Sequence, residues 1–239
     1  MKTVLIFSGG MDSATLLYYL LDQGDEVQTL TFDYGSKHNN MEGLAADRVL
    51  LRARRQYTLC KGETTIVHLG LDKIFRGVSA LLSGGKDIPE GHYAEENMKQ
   101  TVVPNRNMIM LSIAAGLAES LEYDAVAFGN HAGDYTIYPD CRAEFVSAVS
   151  KASELGTFRG IHIISPFVLM SKADIAVMGN GLGVPYSLTY SCYKGGPVHC
   201  GACGTCIERR EAFHIAEVED LTEYMIPWEE SAKIGGLKL

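Results

Sequence analysis

Ser8-Gly9-Gly10-Met11-Asp12-Ser13 follows the apolar run Val4-Leu5-Ile6-Phe7 and opens a helical pattern at Ala14. A strand that ends in two glycines and turns into a helix leaves backbone N–H groups without intrahelical partners, aimed at whatever lies beyond the strand. Gly9 and Gly10 can take positive φ and let an anion approach the backbone. Ser8 and Ser13 add hydroxyl donors, and the helix start adds roughly half a positive charge. The stretch therefore suits a phosphate. No Lys follows in the G-x-x-x-x-G-K-[ST] manner, so it is not that loop. A second candidate is Val103-Pro104-Asn105-Arg106-Asn107, where an Arg and two amides precede an Ala-rich helix over 108–121. Such groups bind an anion, or an adenine with its phosphates; the plainer alternative is a capping cluster with Arg106 in a structural ion pair. A third, Asn130 to Arg142, crowds His131, Asp134, Tyr135, Tyr138, Asp140 and Arg142 behind the buried stretch 125–129. That is more polar chemistry than solubility requires, and it reads as a substrate loop, against the alternative that Asp140 caps a helix and His131 fills a polar gap. Finally, Cys192, Cys200, Cys203 and Cys206 have C-x₇-C-x₂-C-x₂-C spacing with glycines between them. Four thiolates so spaced can close a tetrahedral Zn²⁺ shell; an iron–sulfur cluster or a thiol redox pair would use the same residues. His199 then lies beside a complete shell or faces solvent, and Cys60 and Cys141 are isolated thiols.

These groups need a scaffold. The stretches 4–7, 27–32, 64–69, 125–129 and 161–165 read as five strands. Helical spacing occupies 14–24, 41–57, 108–121, 143–155, a segment opened by the Ser171-x-x-Asp174 capping pattern, and 207–216. Strands alternating with helices imply a parallel sheet, whose carboxyl edge gathers the loops described above, Asp33-Tyr34-Gly35 among them. Asp72 to Gln100 is irregular, and the tail from Glu217 offers Tyr224, Ile226 and Trp228 as anchors. A net charge of -8 argues against a nucleic-acid surface, so Arg52, Arg54 and Arg55 read as a solvated helix face. No apolar run approaches the roughly 20 residues of a membrane span. Met1-Lys2-Thr3 leads into a core strand rather than a signal peptide, and the expected location is the cytoplasm, where six cysteines would stay reduced.

The hexapeptide from Ser8 to Ser13 resembles the PP-loop of the ATP pyrophosphatases. Taken with Asp33-Tyr34-Gly35 and His38, Val103 to Asn107, Tyr138-Pro139-Asp140-Cys141-Arg142, and Ser191-Cys192-Tyr193 through Cys206-Ile207-Glu208-Arg209, it resembles the 7-cyano-7-deazaguanine synthase family over nearly the whole chain. Ser36-Lys37 departs from the family's Gln-Arg pair. The resemblance implies a Rossmann-like α/β fold of the adenine nucleotide alpha hydrolase type: a parallel five-stranded sheet with helices on both faces and a C-terminal zinc knuckle. Residues 1–185 would form the ATP-binding domain and 186–239 the zinc-binding segment.

It further implies an ATP-dependent ligase that adenylates 7-carboxy-7-deazaguanine, lets ammonia displace AMP, and adenylates the resulting amide so that elimination leaves a nitrile. Two ATP are used. ATP would contact Phe7, Ser8, Gly9, Gly10, Met11, Asp12, Ser13, Asp33, Asn105, Arg106 and Asn107. Ser8, Asp12, Ser13 and Arg106 would be catalytic, with Asp12 on Mg²⁺ and Arg106 on the α-phosphate. Asn130, His131, Asp134, Tyr138, Asp140 and Arg142 would hold the deazapurine, Asp134 or Asp140 pairing with its amidine edge and Arg142 with its carboxylate. Cys192, Cys200, Cys203 and Cys206 would hold one structural Zn²⁺. A homodimer is implied, with neither nucleic-acid nor membrane partner. Competing readings are a PP-loop enzyme that thiolates a tRNA base, one that passes its adenylate to another amine such as a protein amino group, and a non-enzymatic zinc-knuckle binding module.

Overall fold

The computed structural model describes residues 1–237. Lys238 and Leu239, the last two residues of the expected 186–239 segment, lie outside the described residues. Strand β1 (Lys2–Ile6) carries apolar residues on both of its sides. Val4 and Ile6 join one core and Leu5, with Phe7 just beyond the strand, joins another, so both faces of the sheet must be covered. Helix α1 (Met11–Asp22) follows, then β2 (Glu26–Asp33), α2 (Asn39–Gln56), β3 (Cys60–His68), the single turn α3 (Leu71–Ile74), α4 (Arg106–Ser120) and β4 (Ala125–Ala127). The chain continues with α5 (Ala143–Gly156), β5 (His162–Ile164), α6 (Lys172–Gly181), α7 (Gly204–Ile215) and α8 (Trp228–Ile234).

The five strands form one sheet in the order β3-β2-β1-β4-β5, every pair parallel. Chain order therefore reverses between β1 and β4, and open sheets bind ligands outside the carboxyl ends of strands at such a switch point. Helices α1, α2 and α6 cover one face through Leu16, Leu17, Val49 and Ile175; α4 and α5 cover the other through Leu111, Ala114 and Val149. β3 begins earlier than the alternation of residues 64–69 suggests. Its pairing with β2 shifts register between Gln28 and Leu30, where Gly62 takes φ +54° and the Gln28 amide donates to the Glu63 carbonyl, so a bulge lengthens the strand.

Gly9 shows what the first turn requires of its sequence. Its φ is +77°, and a Cβ there would stand 2.3 Å from the backbone nitrogen of Ala46 on α2. Gly9→Ala is expected to cost about 2 kcal/mol or more, since left-handed strain and a backbone clash act together. Urea denaturation checks it; a midpoint unchanged from wild type would show that the turn can relax.

Candidate active site and metal centre

A cavity of about 230 Å³ opens at the carboxyl ends of β1, β2 and β4. Its floor is the loop from Ser8 to Ser13. Gly10 caps α1 without any side-chain bond, so the first N–H groups of the helix stay free for a ligand. Ser8 and Ser13 share a hydroxyl contact of 3.2 Å, and Ser13 also donates to the Gly10 carbonyl. Oδ1 of Asp12 is buried without a hydrogen-bond partner among the described residues, while its Oδ2 lies 3.1 Å from Lys172 Nζ. An unpartnered carboxylate oxygen beside a phosphate cradle fits a Mg²⁺ or its waters.

Lys172 was legible in the sequence only as part of a cap. The Ser171–Asp174 capping box does open α6, and it places Lys172 at the first helical position, on the wall of the cavity. The lysine is 11% exposed and bonds Glu208 on α7 at 2.8 Å as well as Asp12. Burial works against its charge, but Asp12, Glu208 and Asp134 outweigh that and hold its pKa above the ordinary value. Glu208 is displaced upward by its own burial, with Lys172 and then His131 opposing. His131 does not line the cavity. It lies behind Asp12 and Glu208, with Nδ1 accepting from the Gly133 amide.

Another wall joins the end of β2 to the starts of α2 and α4. Arg106 Nη1 donates to the Tyr34 hydroxyl at 3.3 Å, and its guanidinium lies 5.5 Å from that ring's centroid. Tyr138 donates or accepts at Thr101 over 2.6 Å and lies within 3.4 Å of the Tyr193 hydroxyl. His38 and Glu42, one helical turn apart, stand 3.7 Å from each other. Burial pushes the Glu42 carboxyl up to about 7, with Arg106 pulling the other way. Burial, reinforced by Arg106, drives His38 down to about 3.

A carboxyl raised in the fold binds its proton more tightly than in the unfolded chain, where its value is about 4.3. The stability it contributes is therefore full below that value and is lost as pH rises through about 7. Glu42→Gln is expected to be more stable than wild type at pH 8, by a margin that shrinks toward pH 5.5. Thermal midpoints at the two pH values test this, and a margin independent of pH would contradict it.

Of the residues expected at the site, Phe7, Ser8, Gly10, Met11, Asp12, Ser13, Arg106, Asn107, Asn130, Asp134 and Tyr138 line the cavity. Gly9, Asp33, Asn105, His131, Asp140 and Arg142 do not. Gly9 packs on α2, Asp33 accepts from the Gly35 amide and lies 2.9 Å from His68 Nδ1, and Asn105 is the left-handed N-cap of α4. Asp140 accepts from the Asn107 amide at the start of α4, and exposed Arg142 donates to the Tyr135 carbonyl. Both lie just before α5, but Asp140 is taken up by an open N–H at the start of α4, 33 positions away, and Arg142 braces the turn Ala132–Thr136. Residue type and local spacing do not by themselves single out Lys172, Glu208, Glu42 or the ring of Tyr193 as site residues. The i,i+4 spacing of His38 and Glu42 was the available signal for the third.

The four cysteines are buried, and their sulfurs lie within 4.8 Å of one another. Gly201, at φ +77°, turns the chain between Cys200 and Cys203, and amides of Cys200 and Cys203 donate to cysteine sulfurs at 3.4 and 3.3 Å. The thiols cannot all ionise on their own. A hydrogen bond from Cys200 leads in lowering Cys192, whereas the bond to Cys192 leads in raising Cys203 and Cys206. A tetrahedrally bound dication lets all four be thiolates, so the donor set fits zinc. His199 is buried rather than solvent-facing. Its Nε2 accepts from the Ser191 amide at 3.0 Å, and burial brings it down to about 4, so it serves the knuckle as a neutral acceptor. Arg209, wholly buried, ties α7 to Thr189, the Tyr186 carbonyl and Asp220.

A parallel sheet with an open helix start at its switch point, joined to a closed set of four thiols, defines an α/β protein of the phosphate-loop type with a four-cysteine knuckle that could hold a metal. The family model for queuosine biosynthesis protein QueC matches residues 2–217. The chain belongs to that family. It is 49% identical over 222 residues to a 7-cyano-7-deazaguanine synthase of Porphyromonas gingivalis, covering 93% of this chain and 96% of that one. Identity to the synthase of that name from Methanoregula boonei is 48%, over 94% and 99% of the two chains, and to that from Archaeoglobus fulgidus 46%, over 98% and 95%. Among the described residues, no helix is long and apolar enough to cross a membrane.

Proposed function

We propose that the protein is a 7-cyano-7-deazaguanine synthase, converting 7-carboxy-7-deazaguanine and ammonia to the nitrile through an acyl-adenylate and an amide, with two ATP cleaved to AMP and pyrophosphate. The observation that carries the reading is the meeting of the free α1 N-terminus with Lys172 and the unpartnered Asp12 oxygen at the strand switch point. The N–H groups of α1 and the hydroxyls of Ser8 and Ser13 receive the departing pyrophosphate. Lys172 offers charge to its developing negative oxygens. Asp12 would hold a Mg²⁺, which when bound neutralises polyphosphate charge. Arg106 and Asn107, at the start of α4, bind where the substrate carboxylate meets the α-phosphate. Asn130, Asp134 and Tyr138 line the deazapurine end. The knuckle holds a structural zinc, and the protein acts in the cytoplasm as a homodimer without a nucleic-acid partner.

The test is incubation with ATP, Mg²⁺, ammonium and 7-carboxy-7-deazaguanine, followed by mass spectrometry. AMP, pyrophosphate and a nitrile formed by way of the amide are expected. AMP without amide or nitrile would transfer the adenylate to another acceptor, and no nucleotide turnover would leave a binding module.

A further inference from the structure

Three carboxylates line the cavity, those of Asp12, Glu42 and Asp134, and they differ in what they already hold. Asp12 is paired with Lys172. Asp134 accepts from the Tyr93 hydroxyl at 3.0 Å and from the His131 amide at 3.1 Å, closing the capping box of the short turn Ala132–Thr136. Glu42 accepts no hydrogen bond within the described residues. The one titratable side chain paired with it within 4 Å is His38, whose Nε2 is 3.7 Å away and whose ring is held neutral. Arg106 acts on Glu42 electrostatically without forming an ion pair, being bonded instead to Tyr34. Once ionised, Glu42 is an acceptor-only group, 20% exposed and facing the cavity, with neither oxygen engaged in a hydrogen bond among the described residues.

We propose that Glu42 is the specificity-determining carboxylate of this cavity, pairing through its two oxygens with the adjacent ring N–H and 2-amino group of a guanine-type base. The inference rests on the deazaguanine reading above and assigns that base's recognition to a residue outside the loop from Asn130 to Arg142. The chemistry is a matter of donor pattern. A 2-amino-4-oxopyrimidine edge presents two N–H donors side by side, which a carboxylate accepts in parallel. Adenine presents at the same edge a bare nitrogen acceptor, which a carboxylate repels. A site that must take both an adenine nucleotide and a guanine-type acid needs such a group to keep the two bases from exchanging places. Its surroundings suit a flat heterocycle. The rings of Tyr34 and Tyr193 flank His38, with ring centroids 6.4 and 5.3 Å from its own, and Tyr193 lines the cavity. Leaving a carboxylate unpaired here destabilises the free protein, as its raised pKa records, and the ligand's donors reverse that penalty on binding.

The test uses the full zinc-loaded chain, wild type, E42Q and E42D. Calorimetry measures binding of 7-carboxy-7-deazaguanine and of its analogue lacking the 2-amino group, with ATP binding measured in parallel. Wild type is expected to prefer the amino compound by about tenfold. E42Q, which sets an amide N–H against a ligand donor, should bind that compound ten- to a hundredfold more weakly and lose the preference, with ATP binding unchanged. E42D should recover part of the preference. Wild-type affinity and preference in E42Q, with ATP binding intact, would overturn the assignment and leave the proposed activity standing. A wild-type protein that binds ATP and neither deazapurine would overturn the activity, and this assignment with it.

Discussion

Lys172→Met should slow the first adenylation, read as substrate-dependent ATP–pyrophosphate exchange, by about a hundred- to a thousandfold. That is the usual cost of removing one preorganised charge donor from a water-poor site, about 2.7–4 kcal/mol in the barrier. The lysine meets the conditions for so large an effect: it is 11% exposed, 3.1 Å from Asp12 at the phosphate loop, and held on its other side by Glu208 at 2.8 Å. Its charge is secure, because Asp12 and Glu208 outweigh the burial that would otherwise release the proton. When pyrophosphate begins to leave, the cation is already in place and no side chain need reorganise. Met preserves the buried stem and removes only the charge. Glu208, already displaced upward by burial, then takes a proton, so the variant should fold with a lowered thermal midpoint. The loss should fall on kcat, with the ATP KM moving much less, since the interaction strengthens as charge develops. Exchange at the wild-type rate would reduce Lys172 to a counter-ion for two carboxylates.

The same lysine marks the limit of what neighbouring residues encode. Local rules found the phosphate loop, the five strands and the Ser171–Asp174 cap, because each is written within a few neighbouring residues. Lys172 and Glu208 are 36 positions apart and meet only because α6 packs on α7, which no local pattern announces. Glu42 was hidden in a polar helix stretch whose Arg residues face solvent. Asp140 and Arg142 are the converse case: their residue types suggest substrate binding, while in the fold they lie off the cavity wall, Asp140 accepting from the Asn107 amide at the start of α4 and Arg142 donating to the Tyr135 carbonyl. The tail held a further helix, α8, where Ser231 bonds the Gly201 carbonyl of the knuckle; seven mostly polar residues gave too little apolar periodicity to show it.

Cys203→Ser should lose bound metal and folded stability together. Cys203 is fully buried and is the N-cap of α7, and Cys206 lies one turn into the same helix. A serine oxygen is harder, and it sits closer to the backbone than sulfur does, so it completes a zinc shell poorly. Because the four sulfurs can all be thiolates only around a cation, the metal's binding free energy is folding free energy for this segment. Loss of a few kcal/mol in a chain of this length lowers the thermal midpoint by about 10 °C. The damage should reach the cavity. Thr205 donates to the Ser191 carbonyl at 2.7 Å, Glu208 holds Lys172, and Arg209 joins Thr189 and Asp220, all from the first turns of α7. Zinc per chain from elemental analysis and the thermal midpoint from calorimetry should therefore fall in step. Adenylation should weaken even at temperatures where the variant remains folded. Full zinc occupancy in Cys203→Ser would refute the four-thiolate assignment, and iron with visible absorption in the wild-type protein would replace the zinc knuckle with a cluster.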